Sequence, residues 1–145
     1  MYKHLLIATD GSRESDRAVA NGLGLAKSLS AKVTVATVTE PWTEGAYATL
    51  PTPSAIRLYE KASAGNAANI LDVARKSADQ TGVSCETRHI RDQHAPEGII
   101  KAAKAEGCDL IVVGSHGRGA VGRILLGSTS LKVLTLSPIP VLVFR

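Results

Sequence analysis

Between Gly114 and Thr129 the chain reads Gly-Ser-His-Gly-Arg-Gly-Ala-Val-Gly-Arg-Ile-Leu-Leu-Gly-Ser-Thr. These residue types suit the holding of an anion. Glycines let a backbone approach a ligand closely and turn its N–H groups toward it. Gly127-Ser128-Thr129 precedes a helical pattern, so it adds unpaired N–H donors, hydroxyls and the positive end of a helix dipole. Phosphate is the usual anion for such a place. His116, Arg118 and Arg123 lie in the same stretch. Each can pair with phosphate or simply form a solvated basic loop, and Arg123 is the best clamp because a guanidinium takes phosphate bidentately. Asp10, which ends the first apolar run, is the other candidate. It can face the cradle as a ligand, turn the chain, or cap the following helix.

These residues need a frame. His4–Thr9, Lys32–Val38, Val83–Ile90, Asp109–Val113 and Pro140–Phe144 read as short strands, apolar or alternating. Helical patterns follow them over Arg13 to about Ser30, Ala55–Thr81, Pro96–Glu106 and Ser128–Leu136. Ser12 caps the first helix. Its apolar face is Ala18, Val19, Gly22, Leu25, Ala26 and Leu29, with Gly22 and Gly24 each costing about 1 kcal/mol relative to Ala. The second helix buries Ala67, Ile70, Leu71, Ala74 and Ala78, and Gly82 closes it. From Thr39 to about Ser54, Pro41, Gly45, Pro51 and Pro53 rule out regular structure for most of the stretch. That loop carries Trp42 and Tyr47, which can stack on a base or merely pack.

Strict alternation of strand and helix predicts one α/β domain over residues 1–145. The expected architecture is an open five-stranded parallel sheet of order 3-2-1-4-5 with helices on both faces, Rossmann-like in layout. Ligands in such sheets bind at the carboxyl ends of the strands, beside the point where the order reverses. Asp10 ends strand one and Gly114 follows strand four, so both candidates converge on one crevice.

Composition excludes several classes. The formal charge is +4 with no block of like charges, which does not call for nucleic acid. No apolar run approaches the roughly 20 residues of a membrane helix, and no signal peptide opens the chain, so a cytoplasmic protein is expected. Cys85 and Cys108 match neither a zinc nor a redox spacing and read as small buried thiols. The histidines form no metal constellation. There is no G-x-x-x-x-G-K-[ST]. Gly117–Gly122 does satisfy G-x-G-x-x-G, but it follows the fourth strand, opens no helix directly, and its acid partner about 20 positions on would fall at Leu142. A receiver-type signalling domain would need an acid beside Asp10, and Asp10 stands alone. No set of residues is spaced for nucleophilic hydrolysis.

Taken as a wider unit, Gly114-x-x-Gly117, nine residues, then Gly127-Ser128-Thr129 resembles the nucleotide-binding signature of the universal stress protein family. The likeness extends to the Asp10-Gly11-Ser12 opening and the closing Pro140-Val141-Leu142-Val143, and the glycine spacing is that of the ATP-binding branch. The resemblance implies that Gly114, Gly117, Gly127, Ser128 and Thr129 hold the phosphates and ribose. It implies that Asp10 contacts the ribose or a divalent ion, Mg2+ or Mn2+. Ala8 and Thr9 would line the pocket near the base, the Val38 backbone would hydrogen-bond the adenine, and Val113 would pack beneath sugar or base. The chain departs from the family at Thr129, often Val there, and at Ala8, where some relatives have Pro. The function implied is an ATP-binding sensor or regulator of the stress response. The alternatives are a slow ATPase or phosphotransferase at the same site, or a dimeric interaction module that binds no ATP. The apolar stretch Ile139–Phe144, at an expected sheet edge, invites pairing with another copy, and relatives form homodimers through it.

Overall fold

A computed structural model describes residues 1–42, 52–116 and 125–145. The elements run β1 (His4–Ala8), α1 (Arg13–Leu29), β2 (Lys32–Thr39), α2 (Pro53–Thr81), β3 (Cys85–Arg91), α3 (Ala95–Ala105), β4 (Leu110–Gly114), α4 (Ser128–Leu136) and β5 (Val141–Phe144). The strands form one parallel sheet of order β3-β2-β1-β4-β5. The order reverses between β1 and β4, as the alternation predicts.

Side-chain alternation along the strands feeds two cores. Leu5, Ile7, Val33, Val35, Leu110 and Val112 point to one face, under Val19, Leu23 and Ala26 of α1 and Leu71, Ala74 and Ala78 of α2. Leu6, Ala36, Ile111 and Val113 point to the other, under Ile99, Ile100 and Ala103 of α3 and Val133 of α4. Each large aliphatic side chain so buried contributes about 1.5–3 kcal/mol relative to exposure. The central strands β1 and β4 are covered on both faces, which explains their unbroken apolar runs.

Element ends differ from expectation where a local device decides. Pro53 does not prolong the loop. It occupies the first turn of α2, where its missing N–H costs nothing, and Thr52 caps that turn by accepting from the Ala55 amide at 3.1 Å. On α1 the deeply buried leucine is Leu23, while Leu25 and Leu29 sit at the margin of the core. Ser12 caps α1 as expected, accepting from the Ser15 amide at 3.2 Å. Gly82 closes α2 at φ 79°, a left-handed conformation that glycine adopts without penalty. The peptide before Pro140 is trans.

Candidate functional site

The ends of β1, β2 and β4 open into a crevice of about 830 Å³. Its floor is Ala8, Thr9, Ala36, Val38, Val113 and Gly114, and α4 enters from one side with Gly127, Ser128 and Thr129. The topology builds this directly. Parallel strands all end at the same edge, and diverging crossovers on either side of the switch leave a gap there.

The N-terminus of α4 faces the gap with its donors available. Gly127 is the cap residue and makes no side-chain cap hydrogen bond. Ser128 and Thr129 are therefore the first residues of the helix, not its caps. The helix start is fixed from behind: the Gly127 amide donates to the Ser115 carbonyl at 2.7 Å, and the Ser130 hydroxyl donates to the Gly114 carbonyl. Leading amides left without a side-chain acceptor are the kind of donors that an anion can use.

Asp10 faces α4 across the crevice and is built into a hydroxyl network. Its Oδ1 accepts from the Ser12 amide at 2.9 Å and from the Ser15 hydroxyl at 2.9 Å. The Ser15 Oγ also lies 3.0 Å from the Thr9 Oγ1 and 3.3 Å from the Asp10 amide. Asp10 thus serves the turn, its carboxylate oriented by the Ser12 amide and the Ser15 hydroxyl, and it lines the crevice as well.

Ser15, only 5% exposed, carries a role the sequence alone does not reveal, because it reads as one more polar residue in a first turn. A second unrecognised contribution is a wall of α2: Tyr59, Ser63, Asn66, Ala67 and Ile70 all line the crevice. Their spacing continues the buried stripe of α2 toward its N-terminus. Ile70 is for this reason half-buried where Ala67 and Leu71 are buried. Glu40 closes the rim. Its carbonyl accepts from the Tyr59 hydroxyl at 2.6 Å, its Oε1 accepts from the Ala95 amide at 3.1 Å, and its Oε2 lies 3.1 Å from His94 Nδ1.

Gly114 has a structural reason of its own. A Cβ there would lie 3.1 Å from the Glu14 carbonyl oxygen and 3.3 Å from its carbon, so the glycine admits the first turn of α1. His116 lines the crevice, and its Nδ1 lies 3.1 Å from the Ser115 hydroxyl. Gly117, Arg118 and Arg123, expected to hold phosphate, lie outside the described residues. Ala8, Thr9, Asp10, Val38, Val113, Gly114, His116, Gly127, Ser128 and Thr129 come together on the crevice. Among the described residues no group of three His, Cys, Asp or Glu side chains gathers around a point. No described helix is long and apolar enough to cross a membrane.

Fold and crevice together define an open, parallel α/β domain with a crevice at its switch point. The sequence model of the universal stress protein family matches residues 1–145, and the chain belongs to that family. A universal stress protein of Thermus aquaticus is 34% identical over 145 residues, covering all of both chains. Among solved structures, the hypothetical protein MJ0577 superposes with a TM-score of 0.84 at 28% identity, covering 99% of this chain and 96% of that one. A universal stress protein in complex with cAMP superposes with a TM-score of 0.75 at 28% identity, covering 99% of this chain and 97% of the other.

Proposed function

We propose that the crevice binds an adenine nucleotide, ATP in its fullest form, and that the protein acts as a nucleotide-dependent regulator of the stress response in the cytoplasm. The observation that carries this reading is the start of α4, whose leading amides face the gap without a side-chain cap, opposite the oriented carboxylate of Asp10. Phosphates belong at Gly127, Ser128 and Thr129, where amide hydrogens and helix dipole both favour negative charge. The base belongs over the apolar floor of Ala8, Val38 and Val113, with the Val38 backbone as its hydrogen-bonding edge. The solved relative holding cAMP supports an adenine ligand.

A divalent cation fits the same arrangement. Mg2+ or Mn2+ takes one or two carboxylates, phosphate oxygens and water, and Asp10 supplies a carboxylate already oriented by two donors. Such an ion would neutralise phosphate charge; Asp10 would hold it, and Ser15 and Ser12 would keep Asp10 in place. A homodimer through Ile139–Phe144 is part of the proposal. It is supported by β5 lying at the sheet edge, and velocity sedimentation at micromolar concentration giving only monomer would count against it.

The nucleotide reading is tested with Ser128→Asp. A carboxylate in the first turn suits the helix dipole, adding about 0.3–1 kcal/mol, yet it repels phosphate. At about 5 Å and an effective dielectric of 20, one such pair costs roughly 3 kcal/mol. Calorimetry with ATP should show affinity falling at least a hundredfold with the melting temperature unchanged or higher. Equal ATP binding by the parent and the variant would place the phosphates elsewhere.

A further inference from the structure

A second crevice, of about 500 Å³, lies beside the first and is lined by Arg13, Glu14, Arg17, Ser115, His116 and Arg145. It is formed where the first turns of α1 pass over the ends of β4 and β5. His116 lines both crevices and so separates them. Its Nε2 is buried and has no hydrogen-bond partner among the described residues. A buried imidazole nitrogen left in that state is unfavourable, so the fold keeps the His116 ring there against a cost.

The charges around this crevice are unbalanced. Arg13 and Arg17 stand one turn apart on α1, a like-charged spacing that disfavours the helix slightly. Arg145 brings a third guanidinium from the end of β5. None of the three is paired with a carboxylate among the described residues, whereas Arg88, on β3, is clamped by both Glu86 and Glu106. Glu14 is the one side-chain carboxylate of the lining, against three guanidiniums. Three planar forks offer donors from several directions, and the Ser115–His116 pair, itself hydrogen-bonded, adds a polar wall. That suits a tetrahedral, many-oxygened anion better than a flat carboxylate.

We infer that this crevice is a second phosphate site, which takes a phosphoryl or pyrophosphoryl group between Arg13, Arg17 and Arg145 with His116 as the wall it shares with the nucleotide crevice. The group comes from one of two sources: the distal phosphates of a nucleotide seated in the first crevice, or a separate phosphorylated compound. The inference stands on the arginines and on the partition, and does not require the nucleotide reading.

The test uses inorganic pyrophosphate and the whole chain, by titration calorimetry at low ionic strength. In Ser128→Asp, which blocks the start of α4, pyrophosphate should still bind one per chain. Arg17→Ala and Arg145→Ala should each weaken it about tenfold, the loss of one charge-assisted hydrogen-bonding group. Lys101→Ala, which removes an equal charge from α3 on the opposite face, should change it less than about twofold. All three side chains are exposed, so the variants fold. Two further titrations identify the source. If pyrophosphate competes with ATP but not with AMP, and Arg17→Ala weakens ATP alone, the nucleotide's own phosphates reach the site. If pyrophosphate binds equally to protein saturated with ATP, the ligand is a separate compound. No pyrophosphate binding, or binding that survives both arginine substitutions, overturns the inference. Binding abolished by Ser128→Asp but not by the arginine variants also overturns it, and assigns the phosphate to α4. Failure of the nucleotide reading would show instead as loss of ATP and AMP binding with the pyrophosphate titration intact.

Discussion

Gly22 and Gly24 sit two residues apart in the same helix and should respond to alanine in opposite directions. Intrinsic propensity favours each substitution by about 1 kcal/mol. At Gly24 a Cβ meets nothing within 4 Å, so Gly24→Ala should realise that gain nearly in full. At Gly22 a Cβ would fall 2.7 Å from Ile7 Cδ1, 3.2 Å from Ile7 Cγ1 and 3.4 Å from Val112 Cγ1. Ile7 and Val112 are fully buried on the two strands that flank the switch point. Overpacking of this kind costs about 1–3 kcal/mol, so Gly22→Ala should lose a net 0 to about 2 kcal/mol once the propensity gain is included. The two variants should therefore differ by roughly 1–3 kcal/mol in urea unfolding, with unchanged m-values. Ile7→Val removes the Cδ1 that collides, so the double variant Gly22→Ala/Ile7→Val should be more stable than the sum of its single changes. Equal stability of the two glycine variants would refute the claim that Gly22 sets the distance between α1 and the central strands. A double variant without positive coupling would refute the assignment of the collision to Ile7.

Two more outcomes are expected. Ser15→Ala removes the hydroxyl shared by Thr9, Asp10 and Ser12, leaving buried partners short of hydrogen bonds; unfolding should show a loss of about 1–3 kcal/mol, and calorimetry a weaker ATP affinity, while a change under about 0.5 kcal/mol would show the network to be dispensable. Burial, and then the charge of Lys32, hold His4 below its ordinary 6.5, so its neutral form belongs to the fold, with Nε2 2.8 Å from the Thr34 hydroxyl. The unfolded chain takes up that proton first. Stability should be fully present above pH 6.5 and decline as the pH falls below it. His4→Gln should make that decline shallower, with His89, lowered by its own burial and by Arg91, supplying the remainder; a urea midpoint equally steep in pH for both proteins would remove His4 as a cause.

Much of this arrangement is legible in the residues alone, because apolar periodicity reports burial and burial fixes the sheet. The runs at Leu5–Ile7 and Leu110–Val113 are apolar without alternation because both faces of β1 and β4 are covered, and that places the switch point. The start of α4 at Gly127-Ser128-Thr129 is legible because glycine is a favoured N-cap residue and the helical pattern follows it directly. Pro53 is misleading because the same residue that breaks a helix interior favours its first turn, and the sequence does not say which side of the boundary it occupies. The α2 wall is hidden for a different reason. Tyr59, Ser63 and Asn66 share a helix face with the core stripe, but only the tertiary position of α2 decides whether that face meets protein or a cavity. Ser15 is hidden because its partners, Thr9 and Asp10, lie across a turn.

The glycine at 114 shows how one residue can satisfy a ligand motif and a packing constraint together. Phosphate-binding loops use glycine where the backbone must approach a ligand, and Gly114 does line the crevice. Yet the atoms a Cβ would meet there belong to the backbone of Glu14 and His116, so the constraint is present before any ligand arrives. Beyond Gly114 the main chain carries the connections. The Ser115 amide donates to the Phe144 carbonyl at 2.7 Å, and the Ser115 carbonyl accepts from the Gly127 amide at 2.7 Å. The end of β5, the turn after β4 and the cap of α4 are therefore joined through one peptide segment, with the first turn of α1 packed against Gly114. The amides aimed at the crevice hold their direction because neighbouring backbone groups hold theirs, at no cost in side-chain entropy. If the proposed phosphate site lies here, it is ordered before any ligand arrives, and preorganisation of that kind reduces the ordering penalty of binding.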